Sequence, residues 1–331
     1  PRGFSVSGVE SDKMVPGLKS PLFHGALILL LFGLQFVLPE YHHLAVTRII
    51  LLAVFAMGFN LLFGYTGLLS LGHAMFFAAG MYGAGLTAYH LSWSVPVALV
   101  FGVGCGALLS LLVGLVALRT TGVAFMIVTL MFSQVVWLST AYFTTWTRGD
   151  EGLVMPQAAR SFSLFGMQWQ LTHPTVRYNL ALALLTIALV SVFLMVRGRF
   201  GRAMVAVREN EDRTRMLGYN TFMIKLKALV ASGTLSSAAG AAYALMFAYI
   251  GSSFASIQYS IDPLLYTLLG GAGTVAGPVV GTFLMFYLVD IASNYTSAYL
   301  LVTGIVLVLL VLFFPRGLIG YARDRWFRWL P

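Results

Sequence analysis

Charged residues are scarce in this sequence. Asp, Glu, Lys and Arg make up only 9% of its 331 residues, whereas hydrophobic residues make up 59%. A soluble domain averages about 25% charged and about 45–50% apolar residues, so this composition excludes an ordinary soluble domain and predicts a polytopic membrane protein. The sequence also has a single cysteine, Cys105, which excludes an intramolecular disulfide and a cysteine-based metal cluster.

Lysine is rare, and none of the few lysines has the neighbours that a P-loop nucleotide-binding motif requires. None of the four lysines follows a glycine, so the sequence has no G-x-x-x-x-G-K-[ST] loop. The six histidines have no spacing that indicates a metal site. We therefore predict that the chain is not an enzyme and binds no cofactor or metal, and that any ATP-Mg that drives it is bound by other subunits.

Long apolar segments make up most of the chain. Because about 20 apolar residues span a bilayer as a helix, we predict an all-α fold with eight full spans plus one broken segment, or with ten shorter spans. The apolar segments are 21–39, 46–63, 67–89, 95–118, 122–143, 178–196, 227–250, 263–290 and 297–314. We assign 21–320 to the membrane domain, between an N-terminal segment, 1–20, and a basic tail, 321–331.

The positions of the basic residues indicate the orientation of these spans. Twelve of the twenty Lys and Arg residues lie in 197–227 and 316–328, beside apolar segments. Such residues mark the cytoplasmic side of a membrane protein. We therefore place both termini and 197–227 in the cytoplasm, and the polar loop 144–177 in the periplasm. The net charge of +9 reflects this topology, so we predict contact with the lipid bilayer and no binding of nucleic acid.

Two glycine-rich segments interrupt the predicted spans. Residues 269–278 read LGGAGTVAGP, and residues 64–73 read GYTGLLSLGH. Gly and Pro weaken helical continuity, and paired broken segments in two halves of a chain point to a transport pathway. A break within 263–290 also returns the C-terminus to the cytoplasm. We attribute the later glycines, Gly80 to Gly85, to close helix packing.

Few polar side chains within the apolar segments are candidates for chemistry. His73 either hydrogen-bonds a solute or holds a neighbouring backbone carbonyl, and we favour the structural role. Asp262 precedes Pro263, a pair typical of a helix start, with Asp as the N-cap and Pro as the first helical residue. Asp290 lies near the end of a span, where it reaches the membrane interface. An intramembrane carboxylate is a candidate for ion coupling, but these positions favour the ordinary roles.

The segment 201–219, GRAMVAVRENEDRTRMLGY, is highly charged for so apolar a chain. We predict a single cytoplasmic helix, stopped by Gly218, with two ion pairs and one narrow apolar stripe. The pairs are Glu209–Arg213 and Glu211–Arg215, and the stripe is Ala203, Val207, Asn210, Thr214 and Leu217. Three interpretations fit: a solvated surface helix, a helix adsorbed on anionic headgroups, or a docking element for a soluble partner.

Four segments of the sequence resemble one family of transporters. They are FGYTGLLSLGHAMFFAAGMYGAGLTA (63–88), RTTGVAFMIVTLMFSQVV (119–136), FGRAMVAVRENEDRTRMLGYNTFMIKLKALVASGTLSSAAGAAYA (200–244) and LLGGAGTVAGPVVGTFL (268–284). Together with FFPRGLIG (313–320), they resemble the permeases of binding-protein-dependent ABC importers for branched-chain amino acids, the LivH/LivM family, and its LivM-type subunit in particular. The segment 200–244 is the most specific of them.

The resemblance implies a translocation pathway for branched-chain or other hydrophobic amino acids, formed with a second, LivH-like permease or, alternatively, by a homodimer. It also implies a bacterial inner-membrane location, two cytoplasmic ATPases that carry ATP-Mg, and a periplasmic solute-binding protein. The implied ATPase-coupling residues are Gly201, Arg202, Arg208, Glu209, Asn210, Glu211 and Gly218. The implied pathway-lining residues are Gly67, Ser70, Gly72, His73, Gly270, Gly271, Gly273, Gly277 and Pro278.

The motif TRGDEGL at 147–153 departs from the family pattern, because Arg148 stands where a second small residue is more usual. This outer loop would face the binding protein, so the solute stays open. A urea, short-chain amide or aromatic-acid permease of the same family is an alternative. In other classes, an ion-coupled secondary transporter would need titratable groups at mid-depth, and a passive channel would respond to neither ATP nor an ion gradient.

Overall fold

The protein is represented by a computed structural model that describes residues 19–164, 167–314 and 317–325. The predicted segment 1–20 and tail 321–331 therefore lie mostly outside the described residues. The helices are α1 (Lys19–Leu34), α2 (Glu40–Thr66), α3 (Ala74–His90), α4 (Val95–Ala117), α5 (Val123–Tyr142), α6 (Thr144–Thr147), α7 (Pro174–Arg197), α8 (Arg199–Glu209), α9 (Glu211–Met216), α10 (Thr221–Phe247), α11 (Ile257–Gly270), α12 (Gly277–Tyr295), α13 (Tyr299–Phe313) and α14 (Gly317–Arg325). The strands are β1 (Leu153–Val154), β2 (Ser161–Leu164), β3 (Met167–Gln170) and β4 (Tyr249–Ile250), and they form two antiparallel pairs, β1 with β4 and β2 with β3.

Six of the described helices are long and apolar enough to cross a membrane, namely α2, α4, α5, α7, α10 and α12. The shorter helices α1 and α13 are also apolar, which brings the apolar helices to eight, the lower end of the predicted range. The all-α polytopic fold is therefore confirmed, and the chain is a multi-pass membrane protein.

Contacts between distant segments define two ends of the helix bundle. At the end that we name the basic end, Arg208 of α8 contacts Gly64 of α2, and α14 packs on the residues that follow α11. At the opposite end, which we name the sheet end, β1 pairs with β4, and the His90 ring contacts the Trp146 carbonyl.

Helices α2 and α10 occupy the centre of the bundle. The apolar window of α2 is 89% buried and that of α10 is 72% buried, against 22% for α5. Small residues let α10 approach its neighbours closely. A Cβ atom on Gly80 of α3 would collide with the backbone carbonyl of Ser237 in α10. This contact agrees with the interpretation of Gly80 to Gly85 as a close-packing segment.

Both predicted breaks are present. α2 ends at Thr66, its C-cap Gly67 has φ +75°, and the chain stays non-helical until α3 begins at Ala74. α11 ends at Gly270, and the next helix begins only at Gly277. Between them Gly273 has φ +74°, a conformation that costs other L-residues free energy. The glycines are therefore the cause of the break.

Candidate functional site

The predicted coupling segment, 201–219, consists of two helices rather than one. α8 ends at Glu209, and Asn210 has an extended backbone with φ −162° and ψ 103°. The Asn210 side chain accepts a hydrogen bond of 2.8 Å from the backbone N–H of Arg213. Asn210 is thus the N-cap of α9, a role that asparagine prefers to the middle of a helix. The prediction of a continuous helix is wrong for this reason.

The two predicted ion pairs have different outcomes. Glu211 and Arg215 pair at 3.3 Å within α9, as predicted. The pair of Glu209 with Arg213 is absent from the described ion pairs, because the break at Asn210 removes the helical i,i+4 spacing. Glu209 instead pairs with its neighbour Arg208 at 2.8 Å.

A largely buried ion pair fastens α9 to α10. The Nζ atom of Lys225 lies 2.7 Å from Oε1 of Glu211, and the Lys225 side chain is only 5% exposed. Partial burial of Glu211 would by itself raise its pKa, but the hydrogen bond and charge of Lys225, with a further hydrogen bond from Thr221, hold the pKa below its ordinary value. The sequence analysis did not identify Lys225 as a site residue. Its position in the first turns of the apolar helix α10 was a signal that it needs a charged partner.

The end of α9 has the geometry that the sequence predicts. Gly218 has φ +87°, and its N–H donates to the Arg215 carbonyl at 3.0 Å. The N–H of Tyr219 donates to the Thr214 carbonyl at 3.3 Å, which completes a Schellman motif. The predicted stop at Gly218 is confirmed.

The apolar stripe of this segment divides into a buried part and an exposed part. Val207 and Thr214 are buried against the rest of the chain. Met216, Leu217 and Tyr219 are 82%, 71% and 54% exposed. We name these three residues the α9 apolar tip. Apolar side chains grouped at a helix end beside charged residues are a surface that a partner protein can cover.

The other predicted coupling residues of α8 have distinct surroundings. Gly201 is buried at the corner between α7 and α8, where a Cβ atom would collide with the Val196 carbonyl. Arg202 is exposed. Gly201 therefore sets the angle of α8, and Arg202 is available to a partner.

Arg208 connects α8 to the end of α2. Its guanidinium donates a hydrogen bond to the Gly64 carbonyl in the last turns of α2. A Cβ atom on Gly67 would lie 2.8 Å from Cγ of Arg208, so the arginine stem lies against the first broken segment. A cation is favoured there because the C-terminal carbonyls carry the negative end of the helix dipole.

Asn60 connects α2 to the second broken segment. Its Nδ2 donates to the Thr274 carbonyl at 2.9 Å, and its Oδ1 accepts the N–H of Gly273 at 2.9 Å. Asn60 is almost fully buried. We name Asn60, Gly64, Arg208, Gly273 and Thr274 the coupling junction, because they join the coupling segment to both breaks. Sequence reasoning missed Asn60, although a lone asparagine in a long apolar helix was a readable signal.

His73 lies at the start of α3 and is fully buried. Its Nε2 lies 3.0 Å from Oγ of Ser232 in α10, and that hydroxyl donates to the Gly58 carbonyl of α2. Because the Ser232 proton points to Gly58, we assign the Nε2 proton to His73. The histidine therefore links three helices, which favours its structural role.

Most predicted pathway residues are buried within this one chain. Gly67 is exposed and Gly273 is partly buried, whereas the others face neighbouring atoms of the chain itself. The buried ones are Ser70, Gly72, His73, Gly270, Gly271, Gly277 and Pro278. Their role as pathway lining stays a prediction.

Asp262 is not a helix cap. α11 begins at Ile257, and Ser256 is its N-cap, whose Oγ accepts the N–H of Tyr259 at 3.4 Å. Asp262 and Pro263 therefore lie inside α11, and the prediction of a helix start there is wrong. α11 therefore begins about one and a half turns before the Asp262–Pro263 pair. The spacing of apolar residues in the sequence does not indicate this earlier start.

The loop at the sheet end is fastened to α10 by arginine. Arg160 is buried and donates to the carbonyls of Leu245 and Met246 at the end of α10, and to that of Leu171. Burial lowers the pKa of the Arg160 guanidinium, with the charge of Arg177 as a smaller cause. These bonds satisfy carbonyls that a helix end leaves without partners.

Arg148, at the predicted departure from the family pattern, ends α6. Its backbone has φ +58°, and its side chain is exposed. This conformation favours glycine. The nearby Asp150 accepts a hydrogen bond of 2.8 Å from Ser252, which holds the loop to the chain after β4.

Comparison with known proteins gives consistent matches. The family model for the permease component of the branched-chain amino acid transport system matches residues 43–314. The chain is 26% identical to the high-affinity branched-chain amino acid transport system permease protein LivM of Escherichia coli (strain K12), across 93% of this chain and 77% of that protein. It is 23% identical to LivH of the same organism across 54% of this chain and 59% of LivH. It is 29% identical to the autoinducer 2 import system permease protein LsrC of Salmonella typhi across 30% of each chain. No solved structure matches significantly.

Proposed function

The chain belongs to the branched-chain amino acid transport permease family and is a permease subunit of an ABC importer, and from this premise we propose that it carries branched-chain or other hydrophobic amino acids across the bacterial inner membrane. The long alignment with LivM supports this solute class. We propose a second, LivH-like permease as its partner, with a homodimer as the alternative. Two ATPases would bind ATP-Mg at the basic end, and a solute-binding protein would dock at the sheet end.

The coupling junction is the observation that carries this proposal. Arg208 contacts the first broken segment, and Asn60 ties that part of α2 to the second. A force applied to α8 therefore reaches both breaks through short polar contacts. Ser260 of α11 adds a further link, since its Oγ accepts the N–H of Ala74 at 2.9 Å.

Alternating access follows from this connection. Closure of an ATPase dimer would move α9 together with α10, because the Lys225–Glu211 pair holds α9 to α10. The breaks after Gly67 and Gly270 would absorb the change in helix direction, as short non-helical segments do in hinge motions. Helices on either side would then tilt without loss of their own hydrogen bonds.

The α9 apolar tip is the surface that we propose for ATPase docking. Substitution Leu217→Glu should weaken co-purification of the ATPases and reduce solute-stimulated ATP hydrolysis by about tenfold, the change expected when a charge enters an apolar contact worth about 1.4 kcal/mol or more. Val154→Glu is the matched control for co-purification of the ATPases, since Val154 is 69% exposed at the opposite end. Unchanged stimulation in Leu217→Glu would remove the tip from the ATPase interface.

The solute is tested separately from the coupling. Calorimetric titration of the associated binding protein with leucine, urea, acetamide and benzoate distinguishes the solute classes of the family. Tight binding of leucine or another hydrophobic amino acid supports the proposal. Tight binding of urea, acetamide or benzoate in its place would refute the amino acid assignment and leave the permease function intact.

A further inference from the structure

A cavity of about 560 Å³ opens among α2, α11, α12 and α13. Its lining has three charged side chains, Arg48 from α2, Asp262 from α11 and Asp290 from α12. The aliphatic part of the lining includes Leu265, Met285 and Leu307. Its size lies in the range of small-molecule sites, about 300–1,000 Å³. None of the predicted pathway residues lines it.

The charges in this cavity are separated rather than paired. No ion pair joins Arg48 to either carboxylate among the residues that the structure describes. Asp290 accepts a hydrogen bond of 2.6 Å from the hydroxyl of Tyr41, whereas Asp262 has no hydrogen-bond or ion-pair partner in the described part of the chain. A carboxylate among membrane helices is costly unless a partner compensates it.

Arg48 is held in place by aromatic rings rather than by an acid. Its guanidinium carbon lies 5.3 Å from the ring centre of Phe247 and 5.9 Å from that of Tyr243, both in α10. Cation–π contacts of this kind orient the planar guanidinium, and a side-chain hydrogen bond with Tyr243 uses only part of its N–H donors. The cavity therefore offers an anion site at Arg48 and a cation site at Asp262.

We infer that this cavity binds the zwitterion of a hydrophobic α-amino acid during transport, with the solute carboxylate at Arg48, its ammonium group at Asp262 and its side chain on the aliphatic lining. This inference rests on the proposed function and gives it a binding site in this chain. A fatty acid would leave Asp262 uncompensated, and an inorganic cation would leave Arg48 without a partner. A zwitterion with an aliphatic side chain satisfies both charges and the apolar wall.

The position of Asp262 links this site to the coupling junction. Asp262 and Gly270 lie on the same helix, eight residues or about 12 Å apart. Gly270 is where α11 ends and the second break begins. Movement of the break would therefore move Asp262 relative to Arg48, which belongs to α2. The site would lose its fit for the zwitterion as the transporter changes state.

The test uses the complete complex in proteoliposomes with leucine-loaded binding protein. Asp262→Asn and Arg48→Gln should each lower the leucine moved per ATP hydrolysed by at least about tenfold, the usual effect of removing one charged partner. Binding-protein-stimulated ATP hydrolysis should stay within about twofold, because the coupling junction is untouched. Glu40→Gln is the matched control, an exposed carboxylate at the start of α2 outside the cavity lining. The inference is overturned if both variants move as much leucine per ATP hydrolysed as Glu40→Gln does.

A second measurement covers variants that fail to assemble. Equilibrium binding of leucine, 4-methylpentanoate and 3-methylbutylamine to the wild-type complex, without binding protein, should favour leucine, since each analogue lacks one charge. Equal affinities overturn the inference. Where the variants assemble, Asp262→Asn should weaken the binding of leucine but leave the binding of 4-methylpentanoate unchanged. An equal loss of affinity for all three probes would indicate general damage and overturn the inference. If the wild-type complex moves no leucine at all, the proposed function fails rather than this site alone.

Discussion

The substitution Asn60→Leu tests the coupling junction in the most buried helix of the bundle. Leucine has the branched shape of asparagine and the same number of side-chain heavy atoms but cannot hydrogen-bond, so the variant leaves the Gly273 N–H and the Thr274 carbonyl without their side-chain partner. Asn60 and Thr274 are each 1% exposed and Gly273 is partly buried, so water replaces the lost bonds poorly. Asn179→Leu is the matched control, because among the residues that the structure describes its amide bonds only within α7, to the Thr175 carbonyl.

The expected magnitude follows from two hydrogen bonds. Membrane proteins yield about 0.6 kcal/mol for an average side-chain hydrogen bond, whereas a buried group left unsatisfied costs about 1–3 kcal/mol. The loss of two such bonds from a fully buried side chain should lower the free energy of unfolding in Asn60→Leu by about 2–4 kcal/mol. The control should cost less than about 1 kcal/mol, because its helix keeps its backbone bonds.

The assay has a stability arm and a coupling arm. Thermal unfolding of the purified complex should show a Tm that is lower by about 5–10 °C for Asn60→Leu and by at most a few degrees for the control. Solute-stimulated ATP hydrolysis should fall relative to basal hydrolysis only in Asn60→Leu. If both variants behave alike in both arms, the junction does not transmit force between the breaks, and the reasoning is refuted.

Three further predictions concern single side chains. Lys225→Met should loosen α9 by about 1–2 kcal/mol, less than a fully buried pair because Glu211 is partly exposed; hydrogen exchange of α9 amides measures this. Arg160→Gln should destabilise the sheet end by about 2–4 kcal/mol, since the Leu245 and Leu171 carbonyls lose their donor and Met246 keeps only the long bond from Arg177. Proteolysis of the 144–173 loop measures this destabilisation, and unchanged cleavage would contradict the capping role. Arg148→Gly should stabilise the complex by about 0.5–1 kcal/mol, because φ +58° favours glycine; a Tm at or below the wild-type value would contradict it.

The Lys225–Glu211 pair also predicts a pH dependence. The folded-state pKa of Glu211 lies below its ordinary value of 4.5, so the stabilisation is fully present above that value and is lost as the pH falls through the folded-state pKa. Protection of α9 should therefore decline on acidification below about pH 4.5 in the wild type. Lys225→Met should show a weaker decline, and identical profiles would mean that this pair does not hold α9.

The break in the second half was readable from sequence because its cause is local. Residues 269–278 hold four glycines and a proline, and the structure places α11 and α12 on either side of them. The stop at Gly218 was readable for the same reason. In both cases a glycine adopts a positive φ that costs other L-residues free energy, so the signal lies in the local sequence.

The break at Asn210 had a local signal that a periodic pattern concealed. Asn followed by two acidic residues, Glu211 and Asp212, is typical of a helix N-terminus. The 4-3-4-3 apolar spacing across 203–217 suggested continuity instead. Capping outweighed that spacing, because the stripe holds only weakly apolar residues and the N-cap satisfies a backbone donor.

The contacts of the two candidate sites could not be predicted from spacing. Asn60 meets residues more than 200 positions away, and Arg48 faces a cavity whose carboxylates come from α11 and α12. Such pairings depend on which helices become neighbours. The sequence marks these residues only as polar groups in apolar helices, which singles them out as candidates without naming their partners.

Cross-linking from the α9 apolar tip tests most directly whether this segment couples the permease to ATP hydrolysis. The sequence has one cysteine, so Cys105→Ala gives a background on which Leu217→Cys and Val154→Cys are each the single thiol of this chain. We expect a short photoreactive thiol reagent at Leu217→Cys to capture an ATPase subunit, and we expect ATP analogues that close the ATPase to change the yield. The same reagent at Val154→Cys should capture no ATPase subunit. Equal capture from both positions, or none from Leu217→Cys in a complex that still hydrolyses ATP, would contradict this coupling role.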